Sequence, residues 1–122
     1  MRSLWPIERA VLEAAAHDYH TAADGLREQL TAAQVTKFEN TGAGFFSTVR
    51  VPPEAPRLTD KSPLDAATAS IGSIEHGMSF LLFLEGGHVS LIEGYTNSGV
   101  STVGVNFETV TFDMKPWSLA GE

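Results

Sequence analysis

Two stretches of alternating pattern, residues 78–85 and 88–95, flank the dipeptide Gly86-Gly87, and nothing else in the chain constrains the fold as tightly. A two-residue loop whose residues both take positive φ is the natural closure of a right-twisted hairpin, and Gly-Gly meets that demand without steric cost. Pairing that runs undisturbed from this turn sets Glu85 against His88, Leu84 against Val89 and Leu82 against Leu91. One face then carries Met78, Phe80, Leu82 and Leu84 opposite Tyr95, Glu93, Leu91 and Val89. The other carries Ser79, Leu81, Phe83 and Glu85 opposite Gly94, Ile92, Ser90 and His88. The first face is the more apolar and is expected to lie beneath helices.

Those helices are sought upstream. Leu4, Ile7, Val11, Ala14 and Ala15 recur at helical spacing, Pro6 suits a first turn, and the pattern predicts a helix over residues 4–19. Thr21-x-x-Asp24 marks a second start ahead of Leu26, Leu30 and Ala33, with Gly25 weakening the junction. From residue 34 the pattern turns to β: residues 35–39 and 45–51 enclose Asn40-Thr41-Gly42-Ala43-Gly44 and read as a strand pair around a glycine-bearing turn. Pro52, Pro53, Pro56 and Pro63 then punctuate a stretch with no clear period, which reads as a long loop. Beyond the turn at Asn97-Ser98-Gly99, Val103, Val105 and Phe107 hold odd positions while Val110, Phe112 and Met114 hold even ones. A strand has period two, so this slip requires a bulge or a chain reversal at residues 106–109.

The expectation is one α+β domain with N-terminal helices packed on one face of an antiparallel sheet of about five strands. Residues 1–33 are assigned as helical, 34–51 as the first strand pair, 52–76 as the Pro-rich long loop, and 77–114 as the hairpin and C-terminal strands. A chain of 122 residues can bury a core large enough to hold itself together, and with no cysteine it has neither disulfides nor thiolate metal ligands to help.

Charge narrows the partners. The chain holds 15 acids against 8 bases, a net charge of −7, and residues 62–122 contain Lys115 as their one base. Nucleic-acid binding needs clustered Lys and Arg, whereas the bases here are scattered among acids. An acidic half suits a protein partner with a basic surface. The longest apolar run, residues 78–84, is far shorter than the roughly 20 residues that span a bilayer, and Glu8, Arg9 and Glu13 break up any secretory signal. No membrane partner and a cytoplasmic location are therefore expected.

One residue stands out on the apolar hairpin face. Glu93 lies between Leu91 and Tyr95 and, in the undisturbed register, faces Phe80, where a carboxylate must find a donor or keep its proton. Extending that register sets His76 opposite Asn97, so Glu93, Tyr95, His76 and Asn97 form the candidate ligand pocket, with His76 as the base that catalysis would need. The His76 and Glu93 rungs are roughly 13 Å apart, too far for a direct dyad. His17, His20 and Asp24 could share one side of an unbroken helix as a weak metal trio. No cofactor is indicated. Gly42-x-Gly44 precedes a strand rather than a helix, and Ser79 lies inside a strand, so neither a phosphate cradle nor a serine nucleophile is expected.

Three stretches carry a resemblance: Leu26-Arg27-Glu28-Gln29-Leu30 leading into Val35; Thr41-Gly42-Ala43-Gly44-Phe45-Phe46; and Glu75-His76-Gly77 with Phe80-Leu81-Leu82-Phe83 and Leu91-Ile92-Glu93-Gly94-Tyr95-Thr96. Together they resemble small uncharacterised bacterial proteins that share a helix, a glycine-rich Phe-Phe strand entry and a closing hairpin ending in Leu-Glu-Gly-Tyr. The hairpin ending also resembles that of some immunity proteins of bacterial toxin systems. The likeness spans residues 26–51 and 72–96; such relatives end in Trp-Pro, whereas here Trp117 follows Pro116 after an added segment. It implies no activity and no catalytic residue. The expected function is non-catalytic protein binding, immunity-like in kind, with the second hairpin face expected to be covered in part by the long loop or by a second subunit, the latter making a homodimer. The alternative is a small-molecule binder or hydrolase built around Glu93, Tyr95 and His76.

Overall fold

The computed structural model describes residues 1–19 and 23–120, and among them it shows two helices and a seven-stranded sheet. In chain order the elements are β1 (Arg2–Ser3), α1 (Pro6–Asp18), α2 (Ala23–Ala32), β2 (Gln34–Asn40), β3 (Gly44–Arg50), β4 (Leu64–Ile71), β5 (Ile74–Glu85), β6 (His88–Thr96) and β7 (Phe112–Pro116). A 3-10 turn at Trp117–Leu119 follows. Across the sheet the order is β1-β2-β3-β6-β5-β4-β7, with every neighbouring pair antiparallel.

The α+β class holds, but the sheet has seven strands rather than about five, and the difference has local causes. Strand β4 lies inside the 52–76 stretch expected as loop. Its buried residues are Leu64, Ala66, Ala67, Ala69 and Ile71, and register shifts between Asp65 and Ala67 and between Ala69 and Ile71 erase the period of two. Alanine has little strand preference of its own, so only pairing with β5 and β7 makes this segment a strand. Strand β1, two residues long, is too short to show any period. Conversely, Val103, Val105 and Phe107 form no strand. They belong to a loop that carries Thr102 and Phe107 into the core. The phase slip is a chain reversal, in which Val110 N–H donates to the Asn106 carbonyl at 3.0 Å and Glu108 N–H to the Asn106 side chain at 3.0 Å.

The hairpin turn forms as expected, with Gly86 and Gly87 at φ 58° and 86°, and the first two rungs, Glu85–His88 and Leu84–Val89, keep the simple register. The next step departs from it. Ser90 is an extra residue, held by a hydrogen bond from its hydroxyl to the Phe83 carbonyl at 3.1 Å, and beyond it Phe83 faces Leu91, Leu82 faces Ile92 and Leu81 faces Glu93. Leu82 therefore does not face Leu91, and β6 beyond Ser90 presents the opposite face to that expected. The reason lies at Gly94, which sits beneath two aromatic rings. A Cβ there would come within 2.9 Å of both Phe45 and Phe80.

The inner face is Phe45 and Val49 of β3, Leu64, Ala69 and Ile71 of β4, Met78, Phe80 and Leu82 of β5, and Val89 and Ile92 of β6, all buried. It is covered by Ile7, Val11, Leu12 and Ala15 of α1, by Leu26 and Leu30 of α2, and by Phe107, whose ring meets Phe45 at 4.8 Å. Trp5 closes one margin against Phe38, with ring centroids 4.7 Å apart.

Two fully buried polar side chains tie these layers together. Glu8, in the first turn of α1, accepts the Trp5 amide at 2.7 Å, both terminal nitrogens of Arg2 at 2.8 and 3.0 Å, and the Ser47 hydroxyl of β3. The Arg2 guanidinium in turn lies 3.5 Å from the centre of the Trp5 ring. Gln29 of α2 donates to the carbonyls of Pro56 and Gly87 at 2.7 and 3.0 Å and accepts the Val89 amide at 2.9 Å. One amide side chain thus pins α2, the proline-rich connection and the hairpin tip to each other.

Because Glu8→Ala strands the Ser47 hydroxyl and the Trp5 amide and leaves the half-buried Arg2 without its counter-charge, it is expected to cost about 1 to 3 kcal/mol. Gln29→Leu, which strands one N–H and two carbonyls, is expected to cost about 1 to 3 kcal/mol, both read from urea unfolding. Asp18 gives a pH signature. Burial opposes its charge, but the Ser118 hydroxyl, the Ser118 amide at 2.9 Å and His17 together hold its carboxyl below the ordinary aspartate value. A lowered folded value contributes stability that is present above the unfolded pKa, about 3.9, and lost as pH falls through the folded one. Ser118→Ala should therefore lower the unfolding midpoint at pH 6, and the gap to wild type should close as the pH approaches 2.

Candidate functional site

The sheet face away from the helices is defined by strand pairing. One row runs Glu39, Phe46, Glu93, Leu81 and Asp65 across β2, β3, β6, β5 and β4. A second runs Lys37, Thr48, Leu91 and Phe83, and a third runs Tyr95, Ser79, Thr68 and Lys115. Phe46, Leu81, Phe83, Leu91 and Tyr95 are all half-buried, so the face is apolar in its middle without being sealed.

The lysines and arginines on this face are sorted by strand. Strands β4, β5 and β6 present Asp65, Glu85 and Glu93 and no lysine or arginine, while Lys37, Arg50 and Lys115 stand on β2, β3 and β7, with Glu39 and Asp113 beside them on β2 and β7. Arg57, at the hairpin tip, is engaged with the Gly86 carbonyl at 3.0 Å. Among the described residues no hydrogen bond or ion pair engages the carboxylates of Asp65, Glu85 or Glu93. The topology explains the sorting: β4, β5 and β6 are adjacent in space and all come from the half of the chain whose one base is Lys115.

Of the four residues expected to share a pocket, Glu93 and Tyr95 share one face, Asn97 lies at its end with its side chain already engaged, and His76 lies apart from Glu93. Glu93 and Tyr95 sit on the outer face, one same-face step apart, roughly 6.6 Å along β6. Glu93 is thus not on the helix side opposite Phe80, and Ile92, expected outside, is buried in its place. Asn97 is engaged with β5. Its side chain accepts the Ser79 hydroxyl at 2.7 Å and donates to the His76 carbonyl at 2.9 Å. His76, at φ 63°, is exposed with its Nε2 3.5 Å from Glu75. It borders an open concavity of about 340 Å³ shared with Thr68, Ser70, Asp113 and Lys115, not with Glu93 or Tyr95. His76 is five residues along β5 from Leu81, the partner of Glu93, which is roughly 16 Å of strand. A histidine and a carboxylate so placed cannot pass a proton directly.

In the metal trio, His17 is exposed and lies 3.1 Å from Asp18, while His20 and the Asp24 side chain lie outside the described residues. Among the described residues no group of three or more His, Asp or Glu is placed to hold a metal ion. No helix among them is long and apolar enough to cross a membrane. Asp65 and Phe46 were not singled out from the sequence. Asp65 lay in the presumed loop, and Phe46 joins Glu93 only through the β3–β6 pairing.

With no donor to strand, Glu93→Leu is expected to change stability by no more than about 0.5 kcal/mol in a denaturant melt. Comparison with family models, with curated proteins and with solved structures finds no match.

Proposed function

We propose that the chain is a non-catalytic protein-binding domain, immunity-like in kind, that holds a basic protein partner against the outer face of β4, β5 and β6. The observation that carries this reading is the coincidence of half-buried apolar side chains, Leu81, Phe83, Leu91 and Tyr95, with the carboxylates of Asp65, Glu85 and Glu93, which no lysine or arginine of the same three strands offsets. A binding surface built this way has an apolar centre that gains from losing water and charged neighbours that select the partner and speed its approach. The same charges argue against a second copy on this face. A two-fold contact centred on β4, β5 and β6 would set like carboxylates against each other as they lose water, so homodimerisation through their centre is disfavoured.

A photoreactive benzoylphenylalanine at position 48, on this face beside Leu91, should crosslink a basic protein in the native cells. With that protein purified, Glu93→Lys and Asp65→Lys are each expected to weaken binding about tenfold or more, and raised salt to weaken it further. Binding that ignores both charge reversals while the variants stay folded would overturn the proposal.

A further inference from the structure

The same face also dictates what kind of segment it can receive, an inference that rests on the reading above. Its apolar stripe is built on β5 and β6, and both are internal strands. Strand β5 pairs with β4 and β6, and β6 pairs with β3 and β5. Their backbone donors and acceptors face each other across the ladder, so no partner can add a strand to them. Only side chains are on offer.

A partner segment that settles there loses water from its own N–H and C=O groups and must satisfy them internally. A helix does this, and an extended peptide does not. The dimensions agree. Two strands are about 10 Å across, close to the 10–12 Å diameter of a helix with its side chains. From Phe83 to Ser79 and from Leu91 to Tyr95 the stripe runs four residues, roughly 13 Å, or between two and three helical turns. Glu93 and Asp65 stand on either side of Leu81, on β6 and β4, about 10 Å apart across the strands. Asp65 lies under one flank of such a helix, Glu93 on β6 itself between Leu91 and Tyr95, and Glu85 toward the hairpin end of the stripe. We infer that the occupant is a basic amphipathic helix laid along β5 and β6, its apolar side on Leu81, Phe83, Leu91 and Tyr95 and its Lys or Arg residues reaching Glu93 and Asp65.

Three synthetic peptides of about 18 residues, long enough for a helix to persist in water, test this. One is helical with Leu at i, i+3, i+4 and i+7 and Lys or Arg on both flanks. The second keeps the same Leu and Lys or Arg residues but is interrupted by proline so that it stays extended. The third is the helical peptide with Glu on its flanks. Each is titrated into the isotopically labelled protein, followed by amide shifts and fluorescence anisotropy. The basic helix is expected to move the amides of residues 79–83 and 91–95 and to bind at least about tenfold more tightly than either of the others. Leu81→Lys and Glu93→Lys are expected to remove that binding while the rest of the spectrum is unchanged.

If the extended basic peptide binds this face as well as the helical one, the helix inference fails and the basic-partner reading stands. Acidic and basic helices binding alike, or no peptide reaching this face at millimolar concentration, overturns both. Self-association that competes with the peptide and disappears in Leu81→Lys overturns the inference in favour of a second copy.

Discussion

Gly94 lies where Phe45 and Phe80 leave no room for a side chain, and much of the molecule follows from that contact. To bring a glycine rather than a bulky residue beneath the two rings, β6 must shift by one residue against β5, and Ser90 takes up the difference as a bulge. In a strand every such shift exchanges the two faces. Ile92 goes into the core, and Leu91, Glu93 and Tyr95 go out. A carboxylate that would have needed burying becomes a surface charge instead. The candidate binding face is therefore a consequence of how two phenylalanines pack on the other side of the sheet.

Polar groups inside the fold are used as fasteners between elements distant in sequence. Glu8 reaches from α1 to β1 and β3, Gln29 from α2 to the hairpin tip, and the Thr102 hydroxyl accepts the Gly44 amide at 3.0 Å and donates to the Asn40 side chain at 2.8 Å. Among the described residues no buried side-chain nitrogen or oxygen lacks a partner. Buried groups already engaged with one another have little left for a ligand, which directs attention to the outer face of β4, β5 and β6, where apolar side chains and carboxylates lie together.

Legibility in the sequence followed period and turn chemistry. The first helix, predicted over 4–19, is Pro6–Asp18, and the β2–β3 pair falls where the glycine-bearing turn put it. The Gly-Gly turn and its first two rungs also stand as read. The face assignment of β5 was right throughout, since that strand keeps its alternation from Met78 to Glu85. That of β6 was right at Val89 and wrong from Leu91 onward, although a lone glycine inside a strand is itself a sign of a bulge or a close approach. Of the pocket residues, Glu93 and Tyr95 remain together because they are two apart on one strand. Asn97 stays beside Ser79, the partner of Tyr95, but its side chain is spent on the Ser79 hydroxyl and the His76 carbonyl, while His76 lies several rungs further along β5.

What the sequence by itself determined are the properties carried by neighbouring residues: helical and alternating periods, the positive-φ turn, a break in the alternation at residues 106–109, and a second half nearly without bases. The tertiary structure decided everything that depends on residues far apart. It made Leu64–Ile71 a strand, because an alanine-rich segment becomes one only when ladders on both sides supply its hydrogen bonds. It turned Glu8 from a charge that merely interrupts an apolar run into a buried hub, because Arg2 and Ser47 converge on it only in the folded chain. It also gathered Asp65, Glu85 and Glu93 onto one face, because strand order places β4, β5 and β6 side by side and the Ser90 bulge decides which way Glu93 points.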